Sequence, residues 1–271
     1  MTLAAPPCLP APTLLAALHP ATGAPGCREV AEEVAVALSY DGATQAVMMA
    51  TPTALEDFAL GFSLTEGIIE HPDELLATAV VPRPQGLELR LSLAAPRQAA
   101  LLQRRRLLRG PLGCGLCGVE SLEAAMRPPP AVTSDFRLPA AEVPRAIRAL
   151  DQAQALNRLT HSMHAAGFWL PGHGLLALRE DVGRHNALDK LGGALARQGL
   201  PRGQGAVLLT SRVSVELVQK TAMLGVAVLV AISAPTGLAI RTAAACGIAL
   251  VGIARGSAFE VFSRDDRVIF A

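Results

Sequence analysis

The sequence predicts an α/β protein, in which an α+β first part with antiparallel strands is followed by an α/β second part built from parallel βαβ units. Three observations predict it. Residues 206–210, 226–232 and 248–253 are short continuous apolar runs, the mark of strands buried on both faces of a parallel sheet. Helical patterns at about 215–224 and 238–246 alternate with them, so right-handed crossovers place helices over that sheet. Earlier in the chain Leu87-Glu-Leu-Arg-Leu-Ser-Leu93 alternates strictly, as a half-buried antiparallel strand does.

In chain order, residues 1–27 are rich in Pro and Ala without periodicity and read as a flexible tail. No basic residue precedes Arg28, so no signal peptide is expected. Val34, Val36 and Leu38 then alternate, Tyr40-Asp-Gly-Ala43 supplies a hairpin turn, and Gln45 to Ala50 returns. Thr53 stands three residues before Glu56, the spacing at which each side chain caps the other's amide. Leu55, Phe58, Ala59, Phe62 and Leu64 give the ensuing helix an apolar face that ends near Gly67. Residues 94–113 carry Arg104-Arg-Arg106 and Arg109 and lead into Gly113-Cys-Gly-Leu-Cys-Gly118. The break at Arg127-Pro-Pro-Pro130 places a domain boundary, giving domains 28–135 and 136–271. A helix over about 141–157 follows, then strands 165–170 and 175–179 joined by Pro171-Gly-His-Gly174, and a helix over 182–198 stopped by Gly199.

With 51% hydrophobic and 17% charged residues, bulk disorder is excluded. A net charge of +1 supplies no global field to gather nucleic acid or a membrane surface, so neither is expected as a partner. Of 24 basic residues only Lys190 and Lys220 are lysine, a bias that genome composition explains better than phosphate binding. The longest apolar stretch, Gly225 to Ile240, is cut by Ser233, Pro235 and Thr236 and falls short of the roughly 20 residues a spanning helix needs. The 5 cysteines, at 8, 27, 114, 117 and 246, are too few for a disulfide framework. A protein of the reducing cytoplasm is expected, and Cys114 and Cys117 are to be judged as a chemical site.

Ligands of open parallel sheets bind beyond the carboxyl ends of the strands. Those ends are Thr210-Ser-Arg212, Ser233-Ala-Pro-Thr-Gly237 and Arg255-Gly-Ser257, all rich in hydroxyls, glycines and arginines. Ser233, Thr236 and Gly237 open a helix whose free amides suit a phosphate, with Arg255 or Arg212 as a charged fork. Ordinary caps and turns account for the same residues. No GxxxxGK[ST] loop is present. In Arg179-Glu-Asp-Val-Gly-Arg-His-Asn-Ala-Leu-Asp-Lys190, Asp181 can cap the following helix, and His185 and Asp189 share one face while Asn186 and Lys190 share the next. Asp181, Arg184 and His185, joined by His161 or His164, form a candidate polar site; a solvated helix face is the alternative.

The Cys114-Gly-Leu-Cys117 pair admits three readings. A zinc half-site would draw on His161 and His164, about 44 residues away. A thioredoxin-like dithiol would open a helix at Gly118 to Glu123. A persulfide-forming nucleophile would gain from the arginines upstream, which lower a thiol pKa, and from glycines that leave room for a second protein.

These strings closely resemble the FdhD family, the formate dehydrogenase accessory sulfur carriers. The resemblance rests on Val47-Met-Met-Ala-Thr-Pro-x4-Asp-Phe-Ala-Leu-Gly-Phe62, Thr65-Glu-Gly67, Cys114-Gly-Leu-Cys-Gly118, His164-Ala-Ala166, the Arg179 to Lys190 block, Glu216-Leu-Val-Gln-Lys220 and Ser233-Ala-Pro-Thr236, and covers about residues 29–263. It implies a cytidine-deaminase-like α/β fold for the second half. It implies a sulfurtransferase-type carrier that takes persulfide sulfur from a cysteine desulfurase and passes it to the bis-molybdopterin guanine dinucleotide molybdenum cofactor of formate dehydrogenase. Cys114 then matches the persulfide-bearing cysteine, with Cys117 as its partner. Ile253, Ala254, Arg255, Gly256, Ser257 and Ala258 match the segment assigned to the cofactor, whose guanine nucleotide phosphates would lie near Thr236 and Arg255. A homodimer is expected, with no catalytic metal. The chain departs from the family at His161-Ser-Met163, where Gly-Gly-x is usual. None of the 6 histidines has Glu two residues later, so the zinc-deaminase H-x-E motif is missing and deamination is not expected. The rival reading is a molybdenum-cofactor-binding insertion chaperone with a zinc or redox CxxC.

Overall fold

Prolines at 10, 12 and 20 bracket a six-residue run that, in the computed structural model, forms β1 (Thr13–Leu18), paired antiparallel with β2 (Pro25–Val30). The expected tail is thus a hairpin over these residues, its prolines kept to strand ends where no ladder donor is required. The structure describes residues 13–18, 25–108 and 128–270, with side chains over 28–103 and 128–270.

The hairpin of β3 (Val34–Tyr40) and β4 (Ala43–Ala50) turns at Asp41 and Gly42, both at positive φ as a tight hairpin turn demands. Helix α1 (Leu55–Thr65) follows, but not from the expected reciprocal cap. Its N-cap is Ala54, in the left-handed region and without a side-chain cap, while the Glu56 carboxylate reaches outward to Arg197 at 3.0 Å. Strands β5 (Leu75–Arg83) and β6 (Gly86–Leu93) complete a four-stranded sheet in the order β4-β3-β6-β5. Its outer pairs are antiparallel as expected, whereas the central β3–β6 pair is parallel, because α1 carries the chain across the sheet between them. Val36, Leu38, Tyr40, Leu89 and Leu91 pack on Phe58 and Phe62 of α1, and α2 (Ala95–Leu108) adds Leu101. Helix α2 lies where the sequence offered charge in place of periodicity.

In the second half, β7 (Leu138–Pro139) precedes α3 (Glu142–Ala153) and α4 (Ala155–Thr160). The single helix expected there is broken at Gln154. The Glu180 carboxylate accepts the amides of Leu156 at 2.9 Å and Asn157 at 2.8 Å, which stabilises a new helix start. Next come β8 (His164–Leu170), β9 (Gly174–Asp181), α5 (Arg184–Arg197), β10 (Ala206–Leu209), α6 (Val215–Met223), β11 (Val228–Ala231), α7 (Gly237–Cys246), β12 (Ala249–Arg255), β13 (Ala258–Ser263) and β14 (Val268–Ile269), the last paired with β7. The six-stranded sheet has the order β13-β12-β11-β10-β8-β9. β10, β11 and β12 are parallel, as the apolar runs predicted, with antiparallel strands on both flanks. Leu188 and Leu191 of α5, Leu217 of α6 and Ala243 of α7 cover one face, and Val143, Ile147 and Leu150 of α3 cover the other.

The two halves meet where α1 lies across α5. A methyl built on Gly61 would sit 1.7 Å from the Asp189 carbonyl oxygen, and one on Gly193 would sit 1.9 Å from that of Asp57. Only glycine permits this approach, which brings the chain's charged motifs into one seam.

Candidate functional site

Because β8 is antiparallel to both β9 and β10, the end of β9 lies at the same sheet edge as the carboxyl ends of β10, β11 and β12. The N-termini of α5, α6 and α7 therefore line up along one edge, neighbours about 8–10 Å apart as packed helices are. The loops there are tied together. Thr236 donates its amide to Val213 O at 3.0 Å, and Ile253 donates to Ser233 O at 3.2 Å. Thr236 Oγ1 caps α7 by accepting the Ala239 amide at 3.2 Å, and Thr210 Oγ1 accepts the Ala165 amide at 2.9 Å. Ile253 is held at φ 51 in a bulge between Gly252 and Arg255, a strained conformation for a β-branched residue. Gly256 and Ser257 turn the chain into Ala258 of β13, all of them exposed beyond Ala254.

Several guanidinium groups gather at this edge, and, like Arg158 and Arg267 elsewhere, they pair with no carboxylate among the described residues. Arg83, Arg97, Arg179 and Arg197 pair with carboxylates elsewhere in the fold. Among the described residues no carboxylate pairs with Arg184, Arg212, Arg241 or Arg255; Arg255 donates only to Ile232 O at 3.3 Å. Arg241 Nη1 lies 3.5 Å from where a Gly237 methyl would stand, over the N-terminus of α7. Arg241 was not singled out in the sequence, although its place one turn beyond Gly237 is the signal that finds it.

The polar block divides by direction. Asp181, fully buried, is not the cap of α5: the N-cap is Gly183, whose amide Asp181 Oδ1 accepts at 2.8 Å. Asp181 Oδ2 pairs with Lys190 Nζ at 2.5 Å and accepts the Thr51 amide at 3.0 Å, while Lys190 also donates to Thr51 O at 2.8 Å. Asn186 links Asp181 to Met49 O. A second cluster joins Lys220 to Asp189 at 2.9 Å, Glu66 at 2.7 Å and Thr65 at 3.1 Å. Burial pulls the Lys220 ammonium down, but the charges of Asp189 and Glu66 outweigh it and hold its pKa above the ordinary value. Asp57 collects Arg179 at 2.7 Å and Arg197 at 3.0 Å. Lys190 and Lys220 lie over the rings of Phe58 and Phe62. These residues lock the first half to the second, a role that spacing alone does not reveal.

Arg184, His185 and His164 face the strand-end edge. Burial, then the Arg184 charge, pushes the His164 imidazole below its ordinary value; burial, then Arg184 and Lys220, pushes His185 down to about 4. Both rings are neutral at pH 7. His161 is exposed at the end of α4 and does not join them. Cys114 and Cys117 lie outside the described residues, as do Arg109 and Cys8. Downstream of that segment, Val132 donates its amide to Cys246 O at 2.8 Å, at the amino edge of β12. Cys246 is buried at the end of α7, where burial pushes its thiol up.

Fold and site define a class: a mixed α/β protein whose second half carries a strand edge lined by guanidinium groups and helix N-termini, with no cluster of metal ligands among the described residues and no described helix long and apolar enough to cross a membrane. The chain belongs to the FdhD/NarQ family, which it matches over residues 31–269. It is 54% identical over 254 residues to the sulfur carrier protein FdhD of Agrobacterium fabrum, covering 93% of this chain and 94% of that one. It is 52% identical over 243 residues to the sulfur carrier protein FdhD of Brucella abortus, covering 89% and 90%. A solved structure from Desulfotalea psychrophila, described as a formate dehydrogenase accessory protein, superposes with a TM-score of 0.72 at 24% identity over 96% of this chain and 99% of that one.

Proposed function

We propose that the protein is a sulfur carrier serving formate dehydrogenase, which receives sulfur from a cysteine desulfurase on Cys114 and delivers it to the bis-molybdopterin guanine dinucleotide molybdenum cofactor. In loading, the Cys114 thiolate attacks the terminal sulfur of the donor's persulfide; a new S–S bond forms on Cys114 and the donor cysteine leaves as thiolate. In delivery the S–S bond on Cys114 breaks, Cys114 leaves as thiolate, and the terminal sulfur would bond to the cofactor's metal, whose reduced form would supply the two electrons that take the sulfur to the sulfide level. Cys117 is the second thiol of the loop. The cofactor is cargo, with its guanine nucleotide phosphates at Ser233, Thr236 and Gly237 and along Ile253 to Ala258.

The observation that carries this reading is the set of guanidinium groups without carboxylates, Arg212, Arg241 and Arg255, around the N-terminus of α7. Free helix amides and a charged fork suit a pyrophosphate, and strain at Ile253 is of the kind stored at ligand clamps. The reading extends to a homodimer in the cytoplasm.

The test is to incubate the purified full chain with a cysteine desulfurase and cysteine, and to measure its intact mass. One added sulfur atom, lost on treatment with a reducing thiol and not formed in Cys114→Ala, is the expected result. An unchanged wild-type mass, or equal loading of Cys114→Ala, overturns the assignment of Cys114. Stoichiometric zinc that disappears in Cys117→Ser would favour the insertion-chaperone alternative.

A further inference from the structure

The chain's net charge of +1 is unevenly placed. Residues 98–119 hold 4 arginines and no aspartate or glutamate, so from 24 basic and 23 acidic residues the rest of the chain is left at −3. Genome composition explains arginine in place of lysine, not a stretch without carboxylates. Helix α2 runs into this stretch. In its first turn Arg97 is tied to Glu74 at 2.8 Å and Glu70 at 2.7 Å, and one turn further on Leu101 is buried. The positions that continue this stripe, three and four residues past Leu101, are Arg104 and Arg105, so the pattern that seats the helix stops there. Arg104, Arg105 and Arg106 stand at successive steps of about 100° around the helix. No position three or four residues from any of them is Asp or Glu, so the helix offers these cations no carboxylate of its own.

Resting on the sulfur-carrier reading above, we infer that the end of α2, at Arg104, Arg105 and Arg106, is the docking surface for the sulfur donor, a protein whose persulfide cysteine is set among carboxylates. Arg106 precedes Cys114 by 8 residues, so the cationic turn and the accepting thiol are neighbours in the chain. The transfer itself brings like charges together: the Cys114 thiolate attacks the outer sulfur of the donor's persulfide, and the donor cysteine leaves as thiolate. Guanidinium groups at the approach offset that repulsion. They also steer an acidic surface toward the thiol, which raises an association rate by about 10- to 1,000-fold at low salt. Nucleic acid fits this turn less well, because the rest of the chain, at −3, repels a long polyanion that runs past the helix end.

The same arginines have two simpler roles: cations in the last turn of a helix stabilise it, and cations near a thiol lower its pKa. The experiment separates the three with the full chain, comparing wild type with Arg104→Gln/Arg105→Gln/Arg106→Gln and with the corresponding triple lysine variant, both replacements being good helix formers. Thermal unfolding checks the fold, and the rate of Cys114 alkylation by neutral iodoacetamide, read by peptide mass, reports the thiolate. The rate of sulfur loading from a cysteine desulfurase and cysteine, at about 20 mM and about 500 mM salt, reports docking. The glutamine variant is expected to load at least about tenfold more slowly at low salt, a difference that closes to about twofold at high salt, with alkylation within about threefold of wild type. The lysine variant is expected to recover loading to within about threefold of wild type, since steering needs charge and not a planar fork. Undiminished low-salt loading in the glutamine variant, or loading and alkylation that fall together, overturns docking and leaves Cys114 as the carrier. So does a wild-type loading rate that salt leaves unchanged, a result independent of any variant. A wild type that alkylates at Cys114 but gains no sulfur from the desulfurase overturns the carrier reading, and this inference with it.

Discussion

The Asp181–Lys190 pair should be destabilised far more by losing its carboxylate than by losing its ammonium. Both side chains are 0% exposed, and the pair is joined at 2.5 Å. In Lys190→Met, the Asp181 carboxylate keeps three donors: the amides of Thr51 at 3.0 Å and Gly183 at 2.8 Å, and Asn186 Nδ2 at 3.0 Å. In Asp181→Ala, the ammonium keeps only Thr51 O at 2.8 Å, and those same three donors lose an acceptor. An uncompensated buried charge costs about 3–5 kcal/mol, and each stranded buried donor adds on the order of 1–3 kcal/mol. Lys190→Met is therefore expected near about 3 kcal/mol and Asp181→Ala at about 5 kcal/mol or more. Asp181→Asn combined with Lys190→Met, which removes both charges at similar volume, should cost less than the sum of the two single changes. The assay is urea unfolding at pH 7 followed by far-ultraviolet circular dichroism and by the fluorescence of Trp169, the chain's 1 tryptophan, which lies in β8 of the second half. Because the pair ties Thr51 of the first half to β9 and α5 of the second, the two signals should shift together. A reversed order, or a loss under about 1 kcal/mol for Asp181→Ala, would refute this account of the seam.

Two further outcomes follow from the same geometry. The His185 pKa is depressed from 6.5 to about 4 in the folded state, so the unfolded chain binds the proton first and stability is lost as pH falls from about 6.5 through 4. His185→Gln should flatten that part of the stability profile by about 1–2 kcal/mol after allowing for screening at its partly exposed ring, and leave pH 8 unaffected; urea midpoints across pH 4–8 check it. Lys220→Arg should not behave as a conservative change, because a planar fork cannot place donors on Asp189, Glu66 and Thr65 as a compact ammonium does. An expected loss of about 2 kcal/mol or more is read from thermal unfolding, and an unchanged midpoint would count against it.

Periodicity made the elements with strong one-sided or two-sided burial legible. β6 alternates because one face meets α1 and the other water, and β10, β11 and the first residues of β12 are apolar because helices cover both faces. Elements decided by distant contacts were not legible. The break at Gln154 is made by Glu180, which lies 26 residues further on. The parallel pairing of β3 with β6 depends on where α1 carries the chain, and the missing Thr53–Glu56 cap on the pull of Arg197. The block from Arg179 to Lys190 was legible as polar and as concentrated at a helix start. Which of its side chains faced inward was not, because α5 is buried on one side by the sheet and on another by α1, so helical spacing offered no single solvated face.

The chain's two lysines show why the motifs of this block carry two kinds of information. Surface basic residues here are arginine, so genome composition exerts little hold on Lys190 and Lys220. Both are buried over phenylalanine rings of α1 and paired with aspartates of the second half. An ammonium suits the three-acceptor cradle that Thr65, Glu66 and Asp189 make around Lys220. The strings Asp57 to Phe62, Thr65 to Gly67 and Glu216 to Lys220 are thus tied together physically, since each supplies one side of the same seam. A resemblance carried by those strings speaks first to how the halves are joined. The seam leaves over Arg184 and His185, which are half-buried at the start of the helix that Asp181 and Lys190 anchor, and Glu216, which is exposed one turn before Lys220 turns in. The seam therefore fixes the starts of α5 and α6 relative to each other, because each helix carries a buried lysine–aspartate contact within its first turns.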